Sequence, residues 1–396
     1  MRRTIQRRSL PRLGWFAAVL ALLAASHAFA QLAVSANDNK LVLRGGAPAV
    51  VQKPAPDTVT LIELSTRPPS VLRQVEAHAS VIGPPTSVAL TPDEGLLLVT
   101  SAAKIDPADP ARLIPDNRLS VIDLKANPPK VVAELEAGAG ASGMSITRDG
   151  RLALVANRYD GSVSVFRIQG TSVSKIDTVA VGNADSGVAH VAISPDSRLA
   201  LVTRDGDHTI SVLAINGEKV VYTKRDFGAG LKPYGAVITD DSRMAIVANL
   251  GYARGDSDTL SLIDLTLQPL RVVETYSVGQ TPESIVLSPD GKMLAVVTMN
   301  GSNKAESSPF FSPNGRITLY RVLRDRLQYL SSANVGPWPQ GAAFSGDSRT
   351  LVVQSMTERN LWVLEVGSSG MELRDTGQRV PLGGGGAALR TAEGKR

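Results

Sequence analysis

The sequence predicts an all-β fold, a seven-bladed β-propeller made of four-stranded antiparallel blades. Two recurring sequence patterns predict this fold. One is a turn motif built around aspartate, the other is a strand rich in β-branched residues, and the two patterns alternate along the chain. Recurrence at a near-constant period indicates a repeat architecture. Four short strands in each unit of about 45–50 residues are typical of a propeller blade.

The turn motif begins with Ser or Thr and has Asp two residues later. Its aspartates lie 45 to 57 residues apart, at positions 93, 149, 196, 241, 290 and 347. A short apolar segment precedes each turn and another follows it, as in residues 284–287 and 244–247. Because Asp bonds the neighbouring backbone and Gly or Ser relaxes the corner, each unit is predicted to be a β-hairpin.

The second recurrence supplies the third strand of each blade. Seven segments share it: 58–64, 119–124, 162–168, 209–215, 260–265, 317–322 and 361–366. Partial alternation and β-branched residues indicate strands. A fourth strand follows most of them, for example 130–135 and 271–276.

The C-terminus explains why the turn motif is complete six times and the third strand occurs seven times. Residues 388–394 align with 89–95, so the chain ends just after an innermost strand. Segments 40–44, 58–64 and 70–75 would supply its three outer neighbours. The N- and C-terminal strands would then share one blade and close the ring without a free edge. A six-bladed ring with a loose N-terminal strand pair is the alternative.

Residues 1–30 have the organisation of a signal peptide. Five arginines and no acid precede an apolar run over 15–25, and Ala28-Phe29-Ala30 forms a cleavage site. The run is shorter than the ~20 residues that span a bilayer, which disfavours the alternative of an uncleaved anchor. We therefore expect residues 31–396 to form a single propeller domain, periplasmic or secreted. The Arg7-Arg8 pair leaves twin-arginine export open beside general secretion.

The leader accounts for the whole net charge of the chain. The formal charge is +5, and the leader contains five arginines and no acid, so the mature chain is neutral. A neutral chain gives no electrostatic case for binding nucleic acid or an anionic membrane. The chain has no cysteine, which excludes disulfides, thiol nucleophiles, Cys-ligated zinc and covalent c-type haem. We expect a monomer without metal or cofactor.

Candidate binding residues come from the loops. Loops between blades, and between second and third strands, share one face of a propeller (the loop face), opposite the aspartate turns (the turn face). Ligand sites gather where such loops converge on the shaft. The candidate ligand-binding residues are Asn157, Arg158, His190, Arg204, Tyr234, Asn249, Glu283 and Trp338.

Each candidate has a structural alternative. Most loops between blades share a proline just before the innermost strand. Among the residues that follow it, Glu283 is the only acid and Tyr234 the only aromatic residue. His190 occupies a position that holds a small residue in the other blades. The always-polar position eight residues after the turn Asp, which includes Asn157, Arg204 and Asn249, could instead cap a strand. Glu283 and Arg204 could form an ion pair, and Trp338 could be a lid over the core.

The chain resembles the YVTN-repeat seven-bladed propellers, which are related to the lactonase-type propeller superfamily. The resemblance rests on Val278-Gly279, Pro282, Ser288-Pro-Asp-Gly-Lys292, Val155-Ala-Asn157 and Ser120-Val-Ile-Asp-Leu124, and it covers about residues 40–396. These are turn and strand residues, so the resemblance implies a fold more strongly than an activity. A Gly-His…Trp-Asp pattern is absent, which disfavours WD40 repeats.

Three functions follow. The leading interpretation is a non-enzymatic exported propeller that binds a small molecule or a periplasmic protein through its loop face and shaft. It is favoured because the sequence contains no nucleophile elbow and no His-Glu-x-x-His motif. The resemblance implies a lactonase-like hydrolase or cycloisomerase, with Glu283, His190 and Arg204 as base and oxyanion-stabilising groups. It also implies histidines in adjacent loops, and only His190 fits. A propeller subunit of a periplasmic redox complex, similar to amine dehydrogenase heavy chains, is the third.

Overall fold

The computed structural model describes residues 31–393, which form seven four-stranded antiparallel sheets and two small hairpins. We number the blades in chain order. The first blade and its attached hairpin use β1 (Leu32–Asp38), β2 (Leu41–Arg44), β3 (Ala47–Val50), β4 (Thr58–Glu63) and β5 (Ser70–Glu76). Blade 2 and its hairpin use β6 (Val88–Leu90), β7 (Leu96–Thr100), β8 (Ala103–Ile105), β9 (Leu113–Pro115), β10 (Arg118–Asp123) and β11 (Lys130–Glu136).

Blades 3 to 5 each follow the chain from the innermost strand outward. Blade 3 consists of β12 (Ala141–Ile146), β13 (Leu152–Asn157), β14 (Ser162–Gln169) and β15 (Ser172–Ala180). Blade 4 consists of β16 (Val188–Ile193), β17 (Leu199–Arg204), β18 (Thr209–Asn216) and β19 (Lys219–Gly228). Blade 5 consists of β20 (Pro233–Ile238), β21 (Met244–Asn249), β22 (Asp258–Asp264) and β23 (Arg271–Gly279). A short 3-10 turn, Ala184–Ser186, precedes blade 4.

Blades 6 and 7 complete the ring. Blade 6 consists of β24 (Pro282–Leu287), β25 (Met293–Thr298), β26 (Gly315–Val322) and β27 (Leu327–Val335). Blade 7 consists of β28 (Pro339–Phe344), β29 (Thr350–Ser355), β30 (Asn360–Val366) and β31 (Leu373–Pro381). The last strand, β32 (Gly385–Thr391), becomes the innermost strand of blade 1, in the order β32-β1-β4-β5. The predicted seven-bladed ring, closed by N- and C-terminal strands, is confirmed, and the six-bladed alternative is excluded.

One predicted strand of the closing blade is wrong. Segment 40–44 was expected to pair with the C-terminal strand, but β1 takes that place, with Val34 opposite Arg390. Residues 41–44 instead pair with 47–50 through a turn at Gly45 and Gly46, whose φ values are +56° and +81°. Two adjacent glycines in the left-handed region favour a tight hairpin, so the chain leaves the blade there.

The aspartate turns are built as the sequence predicts. In all six, the Ser or Thr hydroxyl donates to the Asp carboxylate at 2.6 Å. The same carboxylate accepts the backbone N–H two residues further on at 3.1 Å. Each turn therefore closes on itself and fixes the hairpin between the first two strands of its blade.

Packing between blades holds the ring together. Seven separate apolar clusters each join two neighbouring blades, including one between blades 7 and 1. The Gln354 amide of blade 7 also donates to Ser35 Oγ at 2.7 Å and to the Ala388 carbonyl at 2.9 Å in blade 1. Burial of apolar side chains is the main stabilising contribution, and here it is distributed around the whole circle.

Candidate functional site in the central shaft

A cavity of about 1010 Å³ runs along the axis of the ring between the innermost strands. Its mouth lies on the turn face, between turn residues that include Arg148, Pro195 and Asp240. Its inner end is reached at Thr86 and Glu283. The side chains of the aliphatic inner-strand residues and a few polar groups form its wall, which is typical of a ligand pocket.

The loop face is covered at the centre of the ring. A buried apolar cluster there joins Leu41, Val81, Met299, Trp338 and Met356. Leu41 belongs to the N-terminal hairpin, and the other four residues come from four different loops. The sequence favoured the loop face as the binding face, and this is corrected: in the described part of the chain the shaft opens on the turn face.

A buried charge network holds this cover in place. The Lys40 ammonium forms an ion pair with Asp57, lies 3.2 Å from Asp38 Oδ1 and donates to the Ala79 carbonyl. Asp38 Oδ2 accepts the Val81 N–H at 2.9 Å. Burial raises the pKa of Asp38, and the Lys40 charge opposes that shift. The network ties the segment at 79–81 to blade 1.

Glu283 is the buried carboxyl of the shaft. It lies near the start of β24, is 4% exposed, and lines the inner end of the cavity. Burial raises its pKa to about 8, and the Gln340 amide opposes the shift. Near neutral pH the group is therefore mostly protonated, and its ionised form is a much stronger base than an ordinary carboxylate.

Tyr234, another residue of the predicted set, lies near both Glu283 and Arg158. Burial raises the pKa of the Tyr234 phenol well above its usual value, the Glu283 charge adds to this, and Arg158 opposes it. The Arg158 guanidinium donates to both carboxylate oxygens of Asp205 at 2.8 and 3.1 Å. The sequence analysis did not identify Asp205 as the partner of Arg158.

His190 is fully buried and neutral. Its Nδ1 accepts the Ala236 N–H at 3.2 Å, so the proton of the neutral ring is on Nε2. Burial lowers its pKa well below the usual value, and the Arg390 charge lowers it further. The group is therefore a hydrogen-bond donor at Nε2 and no proton acceptor at physiological pH.

Arg390 is the functional candidate that the sequence analysis missed. It lies on β32, lines the cavity, donates to the Met144 carbonyl at 2.8 Å and pairs with Glu393. Burial lowers its pKa to about 10. The sequence analysis used segment 388–394 only as evidence for ring closure. The feature that could have identified Arg390 is an arginine within an innermost strand of otherwise mostly small and apolar residues.

Four predicted site residues lie elsewhere. Asn157 accepts the Gly138 N–H and donates to Ser162 and Ser164. Trp338 is 6% exposed and belongs to the apolar cover. These contacts match the structural alternatives, a strand cap and a lid over the core.

Arg204 and Asn249 also make structural contacts within the fold. Arg204 pairs with Asp207 and Asp226 and donates to the Val181 carbonyl, and it makes no ion pair with Glu283. Asn249 donates to Thr259 Oγ1 at 3.0 Å and to Ser261 Oγ at 2.9 Å. We leave all four residues out of the proposed site.

Replacing Asn249 by alanine is expected to destabilise the fold by about 1–3 kcal/mol, because its buried partners lose their hydrogen bonds. Urea unfolding would measure the change. Asn216→Ala, at an exposed strand end, is the matched control and should change stability by less than about 0.5 kcal/mol. An equal effect of both variants would contradict the capping role.

Metal and membrane signatures were searched over residues 31–393. No group of three or more His, Asp or Glu side chains there is arranged to hold a metal ion. The same residues contain no helix with the length and apolar character needed to cross a bilayer. The predicted signal peptide lies outside the described residues.

Comparison with solved structures identifies the same fold in proteins with named activities. A putative 6-phosphogluconolactonase of Bacteroides fragilis is 15% identical with a TM-score of 0.69, covering 93% of this chain and 99% of that one. A periplasmic gluconolactonase of Pseudomonas aeruginosa is 18% identical with a TM-score of 0.66, covering 92% and 99%. Kuenenia stuttgartiensis hydrazine synthase is 19% identical with a TM-score of 0.57, covering 79% and 91%.

These likenesses support the fold and correct the leading functional interpretation. No family model and no curated protein matches the chain, so the YVTN-repeat assignment stays a resemblance. Propellers that cover nearly the whole chain are named as lactonases, which favours the lactonase-like alternative. The prediction of a non-enzymatic binding propeller is therefore wrong.

Proposed function

We propose that this protein is a lactonase-type hydrolase whose active site is the inner end of the shaft. The observation that carries the proposal is Glu283, a fully buried carboxyl with a pKa of about 8 on the wall of a cavity open at one face of the ring. The lactonase names of structural neighbours support the reaction class. Strongly perturbed carboxyls in cavities are candidates for acid–base catalysis.

The proposed reaction uses groups that line one cavity. Ionised Glu283 takes a proton from a water molecule while the water oxygen bonds to the lactone carbonyl carbon. Arg390, on the same wall, stabilises the negative charge that develops on the carbonyl oxygen. The ring C–O bond then breaks, and the protonated Glu283 returns its proton to the departing ring oxygen. The product is an open-chain hydroxy acid.

His190 and Tyr234 take no part in proton transfer in this scheme. His190 stays neutral and cannot serve as the base, in contrast to the role that the resemblance implied for it. Tyr234 stays protonated beside Glu283 and keeps that carboxyl in an apolar, low-charge setting. Arg204, the other group suggested for catalysis, is committed to Asp207 and Asp226.

The pH dependence of hydrolysis tests the assignment of the base. Because only ionised Glu283 can act, we expect kcat/KM to rise about tenfold per pH unit below pH 7 and to level off above about pH 8. Proton release from a panel of five- and six-membered lactones, corrected for spontaneous hydrolysis, would measure it. Absence of turnover on the panel would reject the hydrolase, and a rate independent of pH between 6 and 8 would reject Glu283 as base.

The predicted leader supports a periplasmic location for this activity. One structural neighbour is named as a periplasmic enzyme, which is consistent with export. We propose a monomer with a small-molecule substrate and no nucleic-acid partner. Fractionation of cells expressing the full chain, with sequencing of the mature N-terminus, would test cleavage after Ala30.

A further inference from the structure

We propose that a groove on the outer rim of the ring, between blades 4 and 5, binds a small molecule that joins a carboxylate to an apolar body. A medium-chain fatty acid is an example of this class. The groove has a volume of about 440 Å³ and shares no lining residue with the shaft, so the inference goes beyond the proposed hydrolase and does not depend on it. Three features carry it: a bulge in β19, apolar walls, and a cation at the rim.

The groove lies beside an irregular stretch of β19, the outermost strand of blade 4. Residues 223–225 of β19 lie opposite Val212 of β18 alone, so three residues face one. The Thr223 hydroxyl donates to the Val212 carbonyl at 2.8 Å and holds this bulge, and Lys224 at its centre has a φ of +59°. A bulge bends its strand and is often found next to a functional site. The bulge and the turn between β22 and β23 of blade 5 form two sides of the groove.

The walls of the groove are apolar. They are formed by Leu199, Val212, Phe227, Leu265 and Leu270. All five residues belong to the apolar cluster that joins blades 4 and 5, or pack against it. Val212 and Leu265 are buried and the other three are half-buried, so this cluster reaches solvent in the groove. The volume falls within the about 300–1000 Å³ that is typical of small-molecule sites, and an apolar ligand would cover these side chains.

Arg225 gives the rim of the groove a positive charge. It is the only basic residue of the described lining, it is exposed, and its guanidinium donates to Gln268 Oε1 of blade 5 at 3.0 Å. Within residues 31–393 it forms no ion pair. The neighbouring Lys224 lies over the Tyr222 ring, with Nζ 4.4 Å from the centroid, and has no carboxylate partner in that range either. The remaining N–H groups of the Arg225 guanidinium can therefore bind a carboxylate.

Asp226 is the one acid of the described lining, and its charge is already paired. Its Oδ2 accepts hydrogen bonds from Arg204 Nη1, at 3.2 Å, and from the Tyr222 hydroxyl. Arg225 is therefore the charged group of the lining that is available to an anion. A ligand carboxylate at the exposed rim keeps its contact with water, so no charge has to be buried, while the apolar body lies in the groove. An uncharged apolar molecule would use only the walls, and an inorganic anion only the rim.

Calorimetric titration of the wild-type protein separates the two parts of this proposal. Octanoate has both a carboxylate and an apolar body, octan-1-ol lacks the carboxylate, and acetate lacks the apolar body. We expect the Kd of octanoate, titrated below its micelle concentration, to be at least about tenfold lower than that of either reference compound. A lack of octanoate binding would overturn the site. An equal Kd for either reference compound would overturn the recognition of the group that this compound lacks.

A single substitution locates the binding in this groove. Arg225→Gln removes the charge and keeps a polar side chain at the rim, so the Kd of octanoate should rise about tenfold while that of octan-1-ol stays unchanged. Arg324→Gln, at an exposed arginine in the turn between β26 and β27, is the matched control and should change neither value. Both positions are exposed, so we expect both variants to fold. Octanoate binding by Arg225→Gln that equals that of the wild type would overturn the proposed site. An equal loss in both variants would overturn it too, since any surface cation would then suffice.

Discussion

Replacing Glu283 by glutamine is expected to lower kcat/KM for lactone hydrolysis about 10²- to 10⁴-fold while making the protein more stable at alkaline pH. The amide preserves the shape of the side chain but cannot accept the proton of the attacking water, and a general base contributes about that range of rate. Initial rates at pH 9, and thermal unfolding at pH 9 and pH 4, would measure the two effects on one preparation.

The gain in stability follows from the shifted pKa. The Glu283 carboxyl has a pKa of about 8 in the folded chain against 4.5 as the reference value. The folded state therefore holds a proton that the unfolded state has lost between these pH values. The contribution of Glu283 to the free energy of unfolding is therefore greatest below pH 4.5. It falls as the pH rises toward 8 and is constant above that pH. The shift corresponds to a cost of about 4–5 kcal/mol at most at pH 9.

Glutamine carries no charge at any pH, so this cost disappears in the variant. We expect Tm to rise by about 5 °C at pH 9 and to change little at pH 4. Glu365→Gln, which removes an exposed carboxylate of an ion pair with Arg374, is the matched control and should show neither effect. A variant that loses activity and also loses stability at pH 9 would show that Glu283 is needed by the fold instead.

The repeat made the ring predictable, and the departures from the repeat made the site hard to predict. The hydroxyl–aspartate turn recurs because each blade needs the same corner, so alignment of six copies was enough to place four strands per blade. Asn157 and Asn249 recur for the same reason: both bond the strand next to their own, as a repeated cap does. Repetition was thus a signal for structure.

The face on which the shaft opens could not be predicted from local patterns. It depends on contacts between segments far apart in the chain, such as Val81 with Trp338 in the apolar cover. Arg390 likewise gained its place only through ring closure, when β32 joined β1. Glu283 and Tyr234 could be proposed from the sequence because they differ from their counterparts in the other blades, and a site requires such differences.

Replacing Lys40 by methionine is the second change with a large expected effect. Methionine fits a long side chain into an apolar setting but leaves Asp38 and Asp57 buried without their cation. Removing one member of a buried charge network typically costs about 3–5 kcal/mol. Urea unfolding at pH 7 would measure the loss. Lys125→Met breaks an exposed pair with Asp93, where about 1 kcal/mol or less is expected.

A second substitution separates charge from packing. Asp57→Asn added to Lys40→Met removes one of the two uncompensated charges, so the double variant should recover part of the lost stability. Further loss in the double variant would show that side-chain packing of Lys40, and not its charge, supports the cover.

The same variant links the cover to the chemistry of the shaft. Lys40 holds Ala79, and Asp38 holds Val81, so their release lets water reach the inner end beside Glu283. Hydration favours the ionised carboxyl, and its pKa should then move from about 8 toward the ordinary value. We expect the pH at which hydrolysis reaches its plateau to fall by at least one unit in Lys40→Met, measured below the unfolding temperature of the variant. If the pH of this plateau is unchanged in a folded Lys40→Met protein, the blades alone exclude water from Glu283. The cover would then contribute to stability only.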